Sequence, residues 1–394
     1  VERDDDERDR NERSRANHRD NVDGKRTARP KTAYHPGSFI EANRTTLENL
    51  PKMTDLAWLL RLHGALNIDT IASSALAGNP LDDPAERPLA VYTPPGYDAE
   101  GSERYPVLYC LHGYTGDVAA LVGGRAWETN VVQWLDRLIV AGRMPPVMLA
   151  IVDGFTRLGG SQYVDSVHNG NYATYTIDEV IPHVDHTYRT IARAGGRAVF
   201  GKSSGGFGAL HLSLAYPGTF AAFASHSGDL YFRYAHLPSF PTAQRTLEKF
   251  DSIEAFVTAF ESMPKRPQAF YQTIEMLGYG AAYSPGAAQA FIIDLPFDRK
   301  TGELREDVFA RWRAFDPCER VADCLPALRE MRLRYVDCGR RDEYGLDIGA
   351  RILVDRMRDA GLTVRHDEFD DDHRNVGYRY EVSLPELAEV LDRA

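Results

Sequence analysis

Residues 201–205 read Gly201-Lys202-Ser203-Ser204-Gly205. An apolar run, Ala198-Val199-Phe200, leads in, and a helix-like stretch runs out to Pro217. Strand, sharp turn and helix with a G-x-S-x-G centre is the pattern that lifts a serine to the tip of a strained elbow as a nucleophile. Gly201 and Gly205 let strand and helix approach closely, and Gly206 and Gly208 add room. The register singles out Ser203, because Ser204 as centre would need glycine where Lys202 stands. The first N–H groups of the following helix face the turn, so an anion forming there is stabilised, with the Ser204 N–H as one donor. A glycine-rich turn that only packs or holds a phosphate is the competing interpretation of these five residues.

A serine is a weak nucleophile at neutral pH and needs a base, and the base needs an orienting acid. In an open α/β sheet such groups come from loops at the carboxyl ends of strands. Of twelve histidines, His18 and His35 fall near the N-terminus, His211 within the helix after the elbow, and His366 inside the last predicted strand. His373 follows that strand in Asp370-Asp371-Asp372-His373-Arg374-Asn375 and is the favoured base. For the acid, Asp342 lies just past the strand Y-V-D-C-G, with Glu343 and Asp337 as lesser options. The second oxyanion donor is expected at the Tyr114 N–H, in the loop that follows the apolar strand ending His112-Gly113. His112, Lys202, Asp229, Tyr231 and Arg341 are the candidates for the substrate pocket; His112 has no second ligand spaced to make it a metal site.

The elements that would position these groups alternate. Strand-like runs are I-A-S-S-A-L, P-L-A-V-Y-T-P, Y-P-V-L-Y-C-L-H-G, P-V-M-L-A-I-V-D-G, the elbow strand, A-F-A-S-H-S-G, R-L-R-Y-V-D-C-G and T-V-R-H-D-E-F. Helices are expected over Leu56–Leu66, Val131–Ala141, Thr176–Tyr188 with an internal Pro182, Leu346–Ala360 and Leu384–Arg393. This predicts an α/β fold with a mostly parallel sheet of about eight strands covered by helices on both faces. Residues 229–316 carry no strand rhythm, are rich in aromatics and are expected as a helical cap insertion, with helices over Leu247–Phe260 and Phe270–Leu277. The expected organisation is a charged N-terminal arm over 1–29, with nine acidic and nine basic side chains, a helical extension over 30–70, and the catalytic domain over 71–394.

Composition bounds the function. A hydrophobic content of 43% and charged content of 26% are those of a globular chain. A net charge of −11 argues against nucleic acid and anionic membrane surfaces as partners, and no run of eighteen apolar residues occurs. Cys110, Cys318, Cys324 and Cys338 fit no zinc spacing. Cys110 and Cys338 are expected as buried thiols, while Cys318 and Cys324 could pair. No metal or cofactor is expected. Low cysteine use and the lack of an apolar leader in the first residues fit a cytoplasmic setting. A homo-oligomer is compatible with all of this.

Several motifs together resemble a known family. V-Y-T-P-P-G-Y-D, Y-P-V-L-Y-C-L-H-G, V-I-P-H-V-D-H-T-Y-R-T, G-K-S-S-G-G-F-G-A-L and S-H-S-G over about 70–230, then C-G-R-R-D-E-Y and D-D-H, resemble the esterase family of α/β-hydrolases that includes esterase D, feruloyl esterases, enterochelin esterases and the antigen 85 mycolyltransferases. The resemblance implies an α/β-hydrolase fold, an acyl-enzyme mechanism, a small-molecule ester substrate and no cofactor. It places nucleophile, acid and base on Ser203, Asp342 and His373, and the oxyanion donors on Tyr114 and Ser204. The order Ser, Asp, His along the chain agrees. Two positions depart from the family: an apolar residue usually stands where Lys202 is, and often methionine where Ser204 is. Hydrolysis of a carboxylic ester is therefore the expected activity. Acyl transfer by the same triad, or non-hydrolytic cyclase or lyase chemistry on the same fold, are the alternatives.

Overall fold

Eight strands form one sheet. In the computed structural model, which describes residues 61–124 and 127–393, they are β1 (Ala65–Ala72), β2 (Glu86–Thr93), β3 (Val107–Leu111), β4 (Met148–Val152), β5 (Arg197–Lys202), β6 (Ala222–His226), β7 (Leu333–Gly339) and β8 (Arg365–Phe369). Their spatial order is β1-β2-β4-β3-β5-β6-β7-β8. The β1–β2 and β2–β4 pairs are antiparallel and all others parallel. The mostly parallel eight-stranded sheet expected from the apolar runs is thus present, and all carboxyl ends from β3 to β8 point to one edge.

The central strands read as unbroken apolar runs because both of their faces are covered. Successive side chains alternate between the faces. Val107, Tyr109, Leu111 and Val199 enter one buried cluster. Leu108, Cys110, Ala198 and Phe200 enter the other. Helices α1 (Val131–Val140), α2 (Ile181–Thr187), α3 (Ser204–Ala215), α8 (Leu346–Asp359) and α9 (Tyr380–Glu389) flank the sheet. Asn130 caps α1 through a capping box with Gln133. Pro182 lies in the first turn of α2, which continues directly from a stretch of π-helix, Tyr175–Val180.

Between β6 and β7 the chain makes α4 (Phe240–Leu247), α5 (Ile253–Ser262), α6 (Gln268–Tyr283) and α7 (Glu306–Arg313). These pack around a third buried cluster, with Phe240, Phe256, Leu277 and Trp312 at its centre. Only isolated bridges, such as Pro285 to Ile293, interrupt the helical and irregular backbone there. The single helix expected over Leu247–Phe260 is instead two, because residues 248–252 leave the helix and Ser252 caps a new one.

The first strand departs from expectation. The sequence pattern predicts a helix over Leu56–Leu66 and a strand over I-A-S-S-A-L. Residues 56–60, like the proposed arm over 1–29 and most of the 30–70 extension, lie outside the described residues. Residues 61–64 are not helical, and Ala65 already begins β1, which ends at Ala72. All four cysteines are buried free thiols, so Cys318 and Cys324 do not pair.

Candidate active site

Ser203 stands between β5 and α3 with φ 59° and ψ −126°. This is strained backbone for a residue with a side chain. Its neighbours show why glycine flanks it. A Cβ on Gly201 would lie 2.5 Å from the Leu111 carbonyl oxygen, and one on Gly205 only 2.1 Å from the same atom. The Ser203 N–H donates to the His226 carbonyl at 2.9 Å, and its carbonyl accepts from the Phe207 N–H at 2.9 Å, so sheet and helix together hold the turn.

His373 arrives from the loop after β8. Its Nδ1–H donates to Asp342 Oδ2 at 2.8 Å, which leaves Nε2 as the acceptor for the Ser203 hydroxyl, 3.1 Å away. Asp342 arrives from the loop after β7, and its other oxygen accepts from the Tyr344 N–H at 3.0 Å. Cys338 Sγ lies 3.6 Å from Asp342 Oδ2 as a weak donor. Glu343 fixes the loop by accepting from the His373 N–H at 3.0 Å, and the Tyr344 ring meets the imidazole edge-on, 4.9 Å between centroids. Asp342 and His373 are both buried. The three side chains come from residues 170 and 31 positions apart, brought together by the common sheet edge.

Of the other acids considered, Glu343 touches the His373 backbone rather than its ring. Asp337 lies within β7 and pairs with a different histidine: His226 Nδ1–H donates to Asp337 Oδ1 at 2.7 Å, and Arg379 donates to Oδ2 at 2.9 Å. Against the cost of burial, these two hold the Asp337 carboxyl below its usual range. His211 is buried in α3 and stacked on Phe207 at 5.6 Å; burial pushes its imidazole down to about 3.

The Ser203 hydroxyl opens into a cavity of about 530 Å³. Gly113, Tyr114 and His112 form one wall, His373, Arg374 and Tyr344 another, and Gln268, Gln272, Glu275 and Tyr279 of α6 close it from the β6–β7 insertion. The N–H groups of Tyr114 and Ser204 have no protein acceptor among the described residues. His112 is neutral and structural: it accepts from the Gly154 N–H at 2.8 Å through Nε2 and donates to the Gly113 carbonyl at 2.9 Å through Nδ1. It thereby fixes the loop that carries Tyr114. The Tyr114 hydroxyl is tied to the Leu158 carbonyl.

Ser204 looks away from the nucleophile. Its hydroxyl donates to Asp229 Oδ2 and accepts from Gln162 Nε2, both at 2.9 Å. Asp229 also accepts from Tyr279, 3.3 Å away, and the same tyrosine oxygen lies 3.2 Å from Glu275 Oε1. One hydroxyl has one proton, so it cannot donate to both carboxyl groups. Burial, opposed by the hydrogen bond from Ser204, pushes Asp229 up to about 6. Burial and the charge of Asp229 push Glu275 up to about 8, which leaves Glu275 as the protonated partner at neutral pH.

Two expected pocket residues lie elsewhere. Tyr231 is not among the residues lining the cavity. It has φ 56°, its N–H is bound to Asp316, and its ring packs on Tyr234 at 5.1 Å. Arg341 is exposed and ion-paired to Asp370; Arg374 lines the cavity in its place. The aromatic rings lining the cavity are those of Tyr114, Tyr271, Tyr279, Tyr344 and Tyr380, with His236. Glu275, Tyr279, Gln268 and Gln272 were missed by sequence reasoning. Their signal was available: 268, 272, 275 and 279 share one helical face, and three of the four are polar residues on a helix otherwise buried toward its end. Among the described residues, no group of three His, Cys, Asp or Glu side chains is set to hold a metal ion, and no helix is long and apolar enough to cross a membrane.

Comparisons with known proteins agree with this architecture. The family model described as "Putative esterase" matches residues 84–380. Esterase Rv1288 of Mycobacterium tuberculosis (strain H37Rv) is 36% identical over 145 residues, 36% of this chain and 29% of the relative. The endo-1,4-beta-xylanase/feruloyl esterase of Xylanibacter ruminicola is 29% identical over 153 residues, 36% of this chain and 19% of the relative. These matches therefore span less than a third of either relative's length. Among solved structures, a ferulic acid esterase superposes with a TM-score of 0.54 at 20% identity, over 84% of this chain and 99% of that one. An S-formylglutathione hydrolase from Agrobacterium tumefaciens gives 0.52 at 17% identity, over 84% and 97%. At such identities the solved structures speak for the fold, which is that of the α/β-hydrolases. With its family model matched over most of its length, the chain belongs to the esterase family of α/β-hydrolases.

Proposed function

We propose that the chain hydrolyses a small-molecule carboxylic ester through an acyl-enzyme. Ser203 Oγ attacks the carbonyl carbon while its proton passes to His373 Nε2. Asp342, on Nδ1–H, holds the tautomer and stabilises the imidazolium that forms. The negative charge on the carbonyl oxygen is taken by the N–H groups of Tyr114 and Ser204. The tetrahedral intermediate collapses as His373 returns the proton to the departing alkoxide oxygen, leaving the acyl group on Ser203. Water then attacks the acyl carbon and gives its proton to Nε2; the second tetrahedral intermediate collapses with cleavage of the acyl–Oγ bond, His373 returns the proton to Ser203 Oγ, and the acid is released.

One observation carries this reading: the His373 imidazole bridges a carboxylate at 2.8 Å and a serine hydroxyl at 3.1 Å, and that serine is the strained residue at the mouth of a 530 Å³ cavity. Family membership supports the same class of chemistry. Stopped-flow hydrolysis of 4-nitrophenyl acetate tests it. A burst of nitrophenol stoichiometric with enzyme, absent in Ser203→Ala, is expected. Equal turnover by wild type and Ser203→Ala would refute it.

A further inference from the structure

Lys202 is the residue beside the nucleophile, and it is half-buried. Its ammonium has neither a hydrogen bond nor an ion pair among the described residues. Burying a cation without a partner is costly, and most such groups find one. The carboxylates around it are already engaged. Asp342 holds His373 and the Tyr344 N–H. Glu343 holds the His373 N–H and pairs with Arg374. Asp229 holds Ser204 and Tyr279. Asp372 holds the Arg374 N–H. Burial pushes the Lys202 ammonium below its ordinary range, against the opposing field of these carboxylates, and none of them meets it at contact.

Lys202 also sits at a junction. It lines the large cavity beside Ser203 and a second cavity of about 280 Å³. Glu128, Thr129 and Asn130 line the second cavity together with Asn375, Val376 and Gly377, and Lys202 is the cation among its lining residues. Asn375, Val376 and Gly377 lie two to four positions past His373, the group that protonates the leaving oxygen in the proposed mechanism. Residues of α6 line the large cavity as well. An ester attacked by Ser203 with its acyl part against α6 would lead its alcohol part past Lys202 into the second cavity.

We propose that Lys202 is a specificity residue that recognises an anionic group, a carboxylate or phosphate, on the alcohol part of the substrate. The proposal rests on the esterase reading of Ser203. An anion there would give the ammonium its missing contact partner, and charge-assisted hydrogen bonds are the stronger kind.

The test compares matched acetate esters whose alcohol parts differ in charge: 3- and 4-acetoxybenzoate against 3- and 4-acetoxybenzamide. For wild type, kcat/KM is expected to favour at least one benzoate over its amide, and the advantage to shrink as ionic strength rises. Lys202→Met should lower the benzoate-to-amide ratio about tenfold or more. Lys202→Arg should keep most of it, and Lys202→Glu should invert it. A ratio unchanged within about twofold in Lys202→Met overturns the proposal. So does a wild type with no salt-sensitive preference, a result that needs no variant to fold. Hydrolysis of the neutral amides by wild type but not by Ser203→Ala reports the esterase reading separately. If that holds and the ratio does not move, only the role of Lys202 fails; if no ester is turned over, both fail.

Discussion

Among the described residues, two Ser–His–Asp constellations have nearly the same internal distances. In one, Ser203 lies 3.1 Å from His373, which lies 2.8 Å from Asp342. In the other, Ser383 of α9 lies 3.0 Å from His226 Nε2, whose Nδ1 lies 2.7 Å from Asp337. The second set is fully enclosed: Ser383 is 0% exposed, and His226 and Asp337 are 1% exposed each. Its serine sits within a helix, not on a strained turn. Its acid also carries Arg379 and accepts from the Tyr335 hydroxyl at 3.0 Å. Sheet register explains the set, since His226 stands opposite Asp337 across the β6–β7 pair and opposite Lys202 across β5–β6. Hydrogen-bond geometry alone does not make a catalytic triad. Ser203 differs in its backbone strain, in the cavity above it, and in having two unengaged N–H groups nearby. The buried set instead ties α9 to the sheet beneath the elbow, and His226 accepts the Ser203 N–H through its carbonyl.

The largest expected effects separate the two serines. Ser203→Ala should lower kcat about 10⁵–10⁶-fold, whereas Ser383→Ala should change it by no more than about threefold; steady-state hydrolysis of 4-nitrophenyl acetate reads both. Asp342→Asn should cost about 10³–10⁴-fold in kcat by favouring the wrong tautomer of His373, with KM little changed. His226→Ala reverses the pattern. It leaves Asp337 and Arg379 in a broken buried network and should cost about 3–5 kcal/mol of stability, read by urea unfolding, while folded protein retains most of its activity. Equal losses of activity in the Ser383 and Ser203 variants would erase the distinction drawn here.

The smallest effect concerns the acids behind Ser204. The folded-state value of Glu275, about 8, lies above its ordinary 4.5. The folded protein therefore holds a proton that the unfolded chain has released. The stability this confers is complete below pH 4.5 and is lost as pH rises through about 8. Asp229 behaves alike between 3.8 and about 6. The melting temperature should accordingly fall between about pH 4.5 and 8, and Glu275→Gln, neutral throughout, should flatten that fall by a few degrees. Parallel melting curves for the two proteins would contradict the shared-proton arrangement at Tyr279.

The legible parts of the fold were those with two buried faces. The strands from β3 to β7 announce themselves as apolar runs, and Ser203 and Asp342 fall just past the ends of two of them, while His373 follows β8, whose residues are all half-buried. β1 was misplaced because it is an edge strand: only Leu66 and Ile71 are buried, and five residues apart they break the alternation of period two. Tyr231 was placed in the pocket by its nearness to a strand end, but its left-handed backbone turns the chain toward Asp316. Arg341 is claimed by Asp370, a partner from another loop that spacing could not reveal. The α6 wall was hidden for a related reason. A helix outside the sheet carries no register to the active edge, so its polar face could be counted but not aimed.

The most direct measurement of the central claim is covalent labelling with a fluorophosphonate, followed by peptide mass mapping. A single adduct on Ser203 is expected, with none on Ser383 and loss of ester hydrolysis in proportion to labelling. Protein that stays active when fully labelled, or that is labelled at another residue while Ser203 remains free, would contradict it.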